Sequence, residues 1–184
     1  MRIIAGSAKG RRLKSPGLGT RPMTDSMKES LFSALGDLGG MKVLDLYAGS
    51  GALGLESLSR GAKQAVFVEN AREAIVKLEA NIEVTKFEGA TEILWADTKM
   101  TLGRPADDRM DLVFVDPPYN MALAHVRNDL EALVTQGWLA DDGRIVVHRM
   151  VKEAQLKPFG LELMWEREYG QSRILVFTHE EEAE

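Results

Sequence analysis

The stretch Val43-Leu44-Asp45-Leu46-Tyr47-Ala48-Gly49-Ser50-Gly51-Ala52-Leu53-Gly54 contains the pattern that decides the fold. Its first five residues are mostly apolar and have the length of a buried strand. Three glycines follow at G-x-G-x-x-G spacing and lead into a predicted helix over Ala52–Arg60. Glycines in such a turn let the backbone close tightly and let a ligand approach it. The stretch therefore predicts a strand–turn–helix unit with a ligand site at the carboxyl end of the strand.

Outward from this unit, apolar runs of strand length alternate with helical patterns. Further strands are predicted over Ala65–Glu69, Glu92–Ala96, Asp111–Val115, Arg144–His148, Gly160–Trp165 and Ile174–Thr178, and helices over Ala71–Lys86 and Ala122–Thr135. Another helix is predicted after Pro22, capped by Thr24 or Ser26 and ended by Gly39-Gly40. Alternating strands and helices imply a parallel sheet covered on both faces, and the last two runs predict a hairpin. The predicted fold class is α/β, a doubly wound, mostly parallel seven-stranded sheet with one antiparallel edge strand.

The composition excludes several classes of protein. The chain has 184 residues, 45% of them hydrophobic, which suits one globular domain. It has no cysteine, so disulfide scaffolds, thiolate metal sites and cysteine nucleophiles are excluded. His125 and His179 lack partners at ligand spacing, so no metal is predicted. No apolar run is long enough to span a bilayer, and residues 1–22 lack a signal-peptide core, so we expect a cytoplasmic protein without a membrane partner.

The charge is distributed unevenly along the chain. Residues 1–22, here called the basic arm, carry six basic residues and no acid, whereas the rest of the chain has 17 of the 23 basic residues and all 28 acidic ones. A basic segment on an acidic body is typical of a local nucleic-acid contact, although a solvated arm explains the charge equally well. The predicted division is the basic arm with a hairpin in residues 2–15, a main domain over residues 23–179, and a disordered acidic tail over residues 180–184. The candidate RNA-binding residues are Arg2, Lys9, Arg11, Arg12 and Lys14.

Three acidic residues at predicted strand ends indicate the kind of cofactor. Glu69 follows the first glycine by 20 residues, a spacing that suits a carboxylate on ribose hydroxyls. Asp45 would meet the phosphates of a dinucleotide unfavourably, but it suits the cationic methionine end of S-adenosyl-L-methionine. Asp97 is placed to accept from an adenine amino group, or it simply caps a helix.

A second motif, Asp116-Pro117-Pro118-Tyr119, directly follows the predicted strand Asp111–Val115. Two prolines fix an extended turn whose carbonyl groups face outward. An exocyclic amine on a nucleobase is a weak nucleophile because its lone pair is delocalised into the ring. The Asp116 carboxylate and the Pro117 carbonyl can each accept one N–H and so direct that lone pair, while Tyr119 stacks on a flipped base.

Together, the two motifs resemble the amino-methylating class of Rossmann-like methyltransferases. Four segments narrow the resemblance to the bacterial small-subunit ribosomal RNA guanine-N2 methyltransferase family: Arg2–Gly6, Lys9–Leu13, Thr20–Asp25 and Glu29–Phe32. The family implies S-adenosyl-L-methionine as methyl donor, no metal, and a guanine of the 16S guanine-966 type as target, within an assembled 30S particle. The protein is expected to be a monomer.

The resemblance also assigns site residues. The cofactor residues that it implies are Arg21, Thr24, Asp45, Tyr47, Ala48, Gly49, Ser50, Gly51, Glu69, Asn70 and Asp97. The catalytic residues that it implies are Asp116, Pro117, Pro118 and Tyr119. The chain departs from the family pattern at Met23, at Ser26 and at His148-Arg149, where the family tends to have an acid after the fifth strand. His148 is assigned no role.

Three other functions compete with this prediction. The same acceptor pair suits methylation of DNA adenine or cytosine, or of a protein glutamine. The glycine spacing alone also fits an NAD-dependent oxidoreductase, although Asp116–Tyr119 then has no role. A non-catalytic RNA-binding module would not need an intact amine site. The basic arm and its specific match favour ribosomal RNA.

Overall fold

The computed structural model describes residues 1–17 and 21–182. The α-helices in these ranges are α1 (Asp25–Leu35), α2 (Ala52–Ser59), α3 (Arg72–Thr85), α4 (Thr98–Leu102) and α5 (Leu123–Thr135), and a single turn of 3-10 helix covers Glu88–Ala90. The strands are β1 (Lys42–Leu46), β2 (Gln64–Glu69), β3 (Thr91–Trp95), β4 (Met110–Val115), β5 (Leu139–Met150), β6 (Leu161–Tyr169) and β7 (Ser172–His179).

The strands form one seven-stranded sheet in the order β3-β2-β1-β4-β5-β7-β6. The first five strands in this order are parallel, and β7 runs antiparallel to both of its neighbours. The predicted doubly wound α/β class is therefore confirmed. The reversed strand lies one place in from the edge, because a tight turn at Gly170, with φ of 58°, lets β7 fold back between β5 and β6.

The order of the strands reverses beside β1, because β2 and β3 lie on one side of it and β4 on the other. The connection after β1 runs to one side of the sheet, and the connection into β4 runs to the other side. Between these two connections lies a crevice at the carboxyl ends of β1 and β4. Alternate residues of the strands enter two apolar layers, one on each face of the sheet. For example, Val43 packs in the layer that includes α1 and α2, and Leu44 in the layer that includes α5.

Helix α1 begins at one of its two predicted caps and ends earlier than predicted. Thr24 is its N-cap, and the Thr24 hydroxyl accepts from the Met27 amide at 3.2 Å, so the alternative cap at Ser26 is wrong. The helix ends at Leu35 because Gly36 leaves the helical conformation with φ of 75°. The predicted end at Gly39-Gly40 is therefore wrong. Short helix α4 was not predicted.

The basic arm packs on the domain. Residues 2 and 12 form one antiparallel bridge, which gives the arm a hairpin form. Ile3, Ala8 and Leu13 are buried in the same apolar layer as α1. The predicted turn at Gly19 and the last two residues of the predicted tail lie outside the described residues. Within residues 1–17 and 21–182, no helix has the length and apolarity that crossing a membrane requires.

Candidate active site

A cavity of about 400 Å³ lies at the carboxyl ends of β1, β2 and β4. This volume is typical of small-molecule sites. Most of the predicted cofactor residues and all four predicted catalytic residues line it, namely Arg21, Asp45, Tyr47, Ala48, Gly49, Ser50, Glu69, Asn70, Asp116, Pro117, Pro118 and Tyr119. Two motifs that are 62 or more residues apart in the chain thus share one cavity.

The glycines of the loop Gly49–Gly54 have different roles. A Cβ atom on Gly49, at φ 57°, would have no neighbour within 4 Å, so the backbone here is open to a ligand. A Cβ on Gly51 would lie 2.3 Å from Leu78 Cδ1, and one on Gly54 would lie 2.4 Å from Phe67 Cε1. Gly51 does not line the cavity. Gly49 therefore leaves room for a ligand, and the other two glycines let α2 pack closely on the sheet and α3.

Asp45 is a buried carboxyl group in the cavity wall. Only 2% of the residue is exposed, and Oδ2 accepts from the Gly54 amide at 3.0 Å. Burial raises the pKa of Asp45 well above its ordinary value; the Gly54 amide opposes this shift, and the charges of Asp116 and Glu69 add to it. No ion pair to a basic side chain is found for Asp45 in the described part of the chain. A cation in the cavity would supply the missing opposite charge.

Glu69 is held at the cavity by backbone amides. Its Oε2 accepts from the Gly49 amide at 2.8 Å, and its Oε1 accepts from the amides of Asn70 and Ala71 at 2.9 and 2.8 Å. A carboxylate has about four acceptor positions, so one remains for a hydroxyl donor. The geometry fits a diol such as a ribose.

Besides Gly51, two predicted cofactor residues lie outside the cavity lining. Thr24 caps α1. Asp97 caps α4, where its Oδ1 accepts from the Lys99 amide at 2.8 Å, which is the alternative role that the sequence left open. A contact of either side chain with a cofactor stays a prediction.

Tyr47 lines the cavity and is fixed by one strong hydrogen bond. Its hydroxyl donates to Asp129 Oδ2 at 2.5 Å. Burial raises the Tyr47 pKa, and the bond to Asp129 adds to the shift. The phenol is therefore a neutral donor at the cavity wall.

Lys28 is a cavity residue that the sequence analysis missed. It is 1% exposed, and its ammonium group donates to the Arg2 carbonyl at 3.1 Å. Burial lowers the Lys28 pKa, and the charges of Glu56 and Asp25 oppose that shift. Lys28 and Arg21 give the cavity two basic side chains on the side of α1.

The turn Asp116–Tyr119 is bound by residues at the end of β5. Val115 and Val147 are paired in the sheet, so Asp116 and His148 follow at the same level. His148 Nδ1 lies 3.0 Å from Asp116 Oδ1, and His148 Nε2 lies 3.2 Å from the Tyr119 hydroxyl oxygen. The Tyr119 hydroxyl also lies 3.3 Å from the Ser172 hydroxyl. A continuous chain of hydrogen bonds therefore joins the first and last residues of the turn.

Arg149 fixes the same turn by hydrogen bonds to its backbone. Its guanidinium donates to the Pro118 carbonyl at 3.2 Å and to the Met121 carbonyl at 2.8 Å. Glu153 neutralises it through two bonds of 2.7 and 2.6 Å. Arg149 is 1% exposed. A buried arginine, paired with the half-buried Glu153, thus holds the backbone of the turn.

The sequence held one signal for these contacts. Asp116 directly follows the predicted strand Asp111–Val115, His148 is the last residue of the predicted strand Arg144–His148, and the carboxyl ends of parallel strands meet at one edge of a sheet. That β4 and β5 are neighbours depends on the strand order, which the spacing of the motifs does not specify.

The arrangement was compared with known proteins. A family model described as Conserved hypothetical protein 95 matches residues 1–178. The chain belongs to this family. Ribosomal RNA small subunit methyltransferase D of Escherichia coli K12 is 34% identical over 189 residues, covering 100% of this chain and 92% of that protein. The protein of the same name from Haemophilus influenzae is 33% identical over 176 residues, covering 92% and 89%. The solved structure of yhhF from Escherichia coli has 32% identity and a TM-score of 0.87, with 99% of both chains covered.

The resemblance seen in the sequence is therefore confirmed at the level of the family, and the chain is a methyltransferase. Among the residues that the structure describes, no group of three or more His, Cys, Asp or Glu side chains is arranged to hold a metal ion.

The methyltransferase presents the charges of its basic arm to solvent. The side chains of all five candidate RNA-binding residues are exposed. Beneath them, the buried Glu56 carboxylate accepts from the amides of Ile4 and Ala5 at 2.9 and 3.1 Å, and Ser59 accepts from the amides of Ser7 and Ala8 at 2.8 and 2.9 Å. Residues 4–8 of the arm are thus held on α2 by hydrogen bonds.

Asn81 of α3 joins the arm to the glycine loop. It is 1% exposed, accepts from the Lys14 amide at 2.7 Å, and donates to the carbonyls of Lys14 and Ser50 at 3.0 and 2.9 Å. One buried amide therefore fixes the arm relative to the cavity of this methyltransferase.

Proposed function

We propose that this methyltransferase transfers the methyl group of S-adenosyl-L-methionine to the exocyclic N2 amine of a guanine in 16S ribosomal RNA, of the guanine-966 type that the family resemblance implies. The observation that carries the proposal is the shared cavity. The Asp116–Tyr119 turn and the loop Gly49–Gly54 line the same space, so a methyl donor and an amine can meet there.

The cofactor half of the cavity fits the donor chemically. S-adenosyl-L-methionine, when bound, supplies a methyl group made electrophilic by a positively charged sulfur. The buried Asp45 carboxyl faces a cation favourably, and Glu69 has an acceptor position for ribose. Arg21 and Lys28 suit the carboxylate of the methionine moiety.

The amine half of the cavity positions a weak nucleophile. Arg149 donates a hydrogen bond to the Pro118 carbonyl oxygen. The Pro117 carbonyl oxygen is therefore the one proposed to accept from the substrate amine. Asp116 Oδ1 is occupied by His148, which leaves Oδ2. Two acceptors can thus bind the two N–H groups of an amine and direct its lone pair across the cavity.

Asp116 also favours the charge that develops during transfer. As the new C–N bond forms, the bond from the methyl carbon to the cofactor sulfur would break and the sulfur would leave as a neutral thioether. The positive charge would thereby move to the nitrogen, and a carboxylate beside it stabilises that charge. The nitrogen must then lose one proton, and Asp116 Oδ2 is placed to accept it. Tyr119 supplies an aromatic face for the base that carries the amine.

The substrate class rests on the relatives and on the arm. Two relatives that cover 100% and 92% of this chain are named ribosomal RNA small subunit methyltransferase D. The exposed basic side chains of the arm suit contacts with phosphates, and the acidic remainder of the chain restricts those contacts to one surface. We propose that the protein acts as a monomer on ribosomal RNA within a 30S particle.

The test is methyl transfer to small ribosomal subunits from a strain that lacks this modification. The protein is incubated with labelled S-adenosyl-L-methionine and the subunits, and the RNA is digested to nucleosides. We expect N2-methylguanosine as the labelled product. The Asp116→Asn variant should lose activity by at least about 100-fold while it binds the cofactor normally.

Other outcomes would replace the proposal. Label in DNA adenine or cytosine, or in a protein glutamine, with none in the subunits, would assign the same chemistry to another substrate. Full activity of the Asp116→Asn variant would show that the turn is not the amine site.

A further inference from the structure

The contacts of His148 go beyond those of a structural histidine. Its side chain is 1% exposed, yet both ring nitrogens face polar groups of the Asp116–Tyr119 turn, at 3.0 and 3.2 Å. The imidazole and the Tyr119 ring meet edge to face, with centroids 5.6 Å apart and planes at 73°. One buried side chain thus contacts both residues that the proposed function places on the substrate base.

The chemistry of the partners sets the direction of each hydrogen bond. An ionised carboxylate only accepts, so His148 donates to Asp116 from Nδ1. The Nε2 atom of a neutral imidazole then carries a lone pair and accepts from the Tyr119 hydroxyl, and the Tyr119 oxygen accepts from Ser172. In this arrangement every polar group in the chain of bonds has a partner.

This direction has two consequences for the site. Asp116 Oδ1 is engaged, so the free Oδ2 has a fixed orientation in a side chain that is 26% exposed. An imidazole that donates from Nδ1 and accepts at Nε2 carries no charge, so in this tautomer it does not offset the charge that a carboxylate at Asp116 offers to the developing cation on nitrogen. The neighbouring Arg149 is neutralised by Glu153 and does not offset that charge.

We infer that His148 is a positioning residue for methyl transfer, which holds the acceptor oxygen of Asp116 and the ring of Tyr119 in the orientation that the substrate amine needs. This inference rests on the proposed function in placing an amine at Asp116, but it holds for any amine that this cavity methylates.

Two substitutions separate the two contacts. The amide nitrogen of His148→Asn lies near the position of Nδ1 and can still donate to Asp116. The longer His148→Gln side chain places its amide near Nε2, so it retains a contact with Tyr119 and loses the one with Asp116. His125→Gln, on the exposed face of α5, is the matched control.

The experiment measures kcat, KM for the amine substrate, and the cofactor Kd, on whichever amine the wild-type protein is found to methylate. We expect His148→Gln to lower kcat about 10- to 100-fold with little change in the cofactor Kd. His148→Asn should recover most of that loss, and His125→Gln should match the wild type. Thermal unfolding of all variants shows whether folding accounts for a loss.

A second measurement does not depend on the substrate. Nitrogen-15 NMR of the imidazole should show the tautomer protonated at Nδ1, and Asp116→Ala should remove that preference. The inference is overturned if His148→Gln keeps the wild-type kcat, if both variants lose activity equally, or if the other tautomer is found. If subunits are not methylated but another amine is, only the proposed substrate fails.

Discussion

Asp45 Oδ2 accepts a hydrogen bond of 3.0 Å from the amide of Gly54, inside the turn that joins β1 to α2. This one amide opposes the effect of burial, which raises the Asp45 pKa well above its ordinary value near 3.8. The folded protein therefore holds a proton at Asp45 more tightly than the unfolded chain does.

The raised pKa predicts how stability depends on pH. The contribution of Asp45 is fully present below its unfolded pKa near 3.8 and is lost as the pH rises through the higher folded pKa. Asp45→Asn keeps an acceptor for Gly54 and cannot ionise. Without cofactor, the variant should be more stable than the wild type at pH 8, by on the order of 2 kcal/mol. The difference in free energy of unfolding between Asp45→Asn and the wild type should decrease toward pH 4.

Denaturant unfolding across this pH range checks the prediction. Asp142→Asn, at an exposed position, controls for the removal of a negative charge. Parallel stability curves for the wild type and Asp45→Asn would contradict the role of burial. In the same variant, the cationic cofactor should bind more weakly.

Glu69→Ala should weaken cofactor binding, because it removes the acceptor for a ribose hydroxyl. The expected loss is about 1.5–3 kcal/mol of binding free energy. Titration calorimetry with S-adenosyl-L-methionine measures it. Glu79→Ala, on the exposed surface of α3 outside the cavity, should bind normally, and an equal affinity for both variants would remove Glu69 from the site.

The charges of the basic arm should govern the salt dependence of RNA binding. Replacing Lys9, Arg11 and Arg12 together by glutamine should reduce the slope of log affinity against log salt by about 2–3, if each side chain contacts one phosphate. Substitution is preferable to deletion, because the arm also buries Ile3, Ala8 and Leu13.

The matched control for the arm removes three exposed basic residues that lie outside the arm. Lys63, Arg109 and Lys157 lie at or near the amino ends of β2, β4 and β6. Their replacement by glutamine should leave the slope almost unchanged. The same slope change in both triple variants would show that net charge alone matters.

Gly6 and Gly10 offer a matched test of how closely the arm packs. Both have positive φ, of 86° and 83°, so alanine is strained at either position. A Cβ on Gly6 would lie 1.7 Å from the Ser59 carbonyl oxygen, whereas a Cβ on Gly10 has no neighbour within 4 Å. Gly10→Ala should cost about 1–2 kcal/mol of stability. Gly6→Ala should cost about 2–3 kcal/mol more, since the arm must shift. Equal midpoints of denaturant unfolding for Gly6→Ala and Gly10→Ala would mean that the arm is not packed closely on Ser59.

The sequence predicted that two local motifs lie at strand ends, and the structure has both there. The glycine loop and the Asp116–Tyr119 turn each depend on a few consecutive residues after an apolar strand, so their position at a strand end follows from periodicity. Strand order then brings them together. Residues such as Gly51, which serves packing, show that a motif position alone does not specify contact with a ligand.

The parts that were missed depend on contacts between distant segments. His148 reaches Asp116 because Val147 pairs with Val115, a register that no local pattern gives. Asn81 meets Lys14 across 67 residues. The end of α1 was misplaced because apolar spacing continues to Leu38, which is buried although it lies outside the helix.

The burial of Glu56 beneath the arm also has a consequence for synthesis. The amides of Ile4 and Ala5 find their acceptor 52 and 51 residues later in the chain. A nascent polypeptide therefore leaves the ribosome with its positive segment unanchored until α2 has emerged.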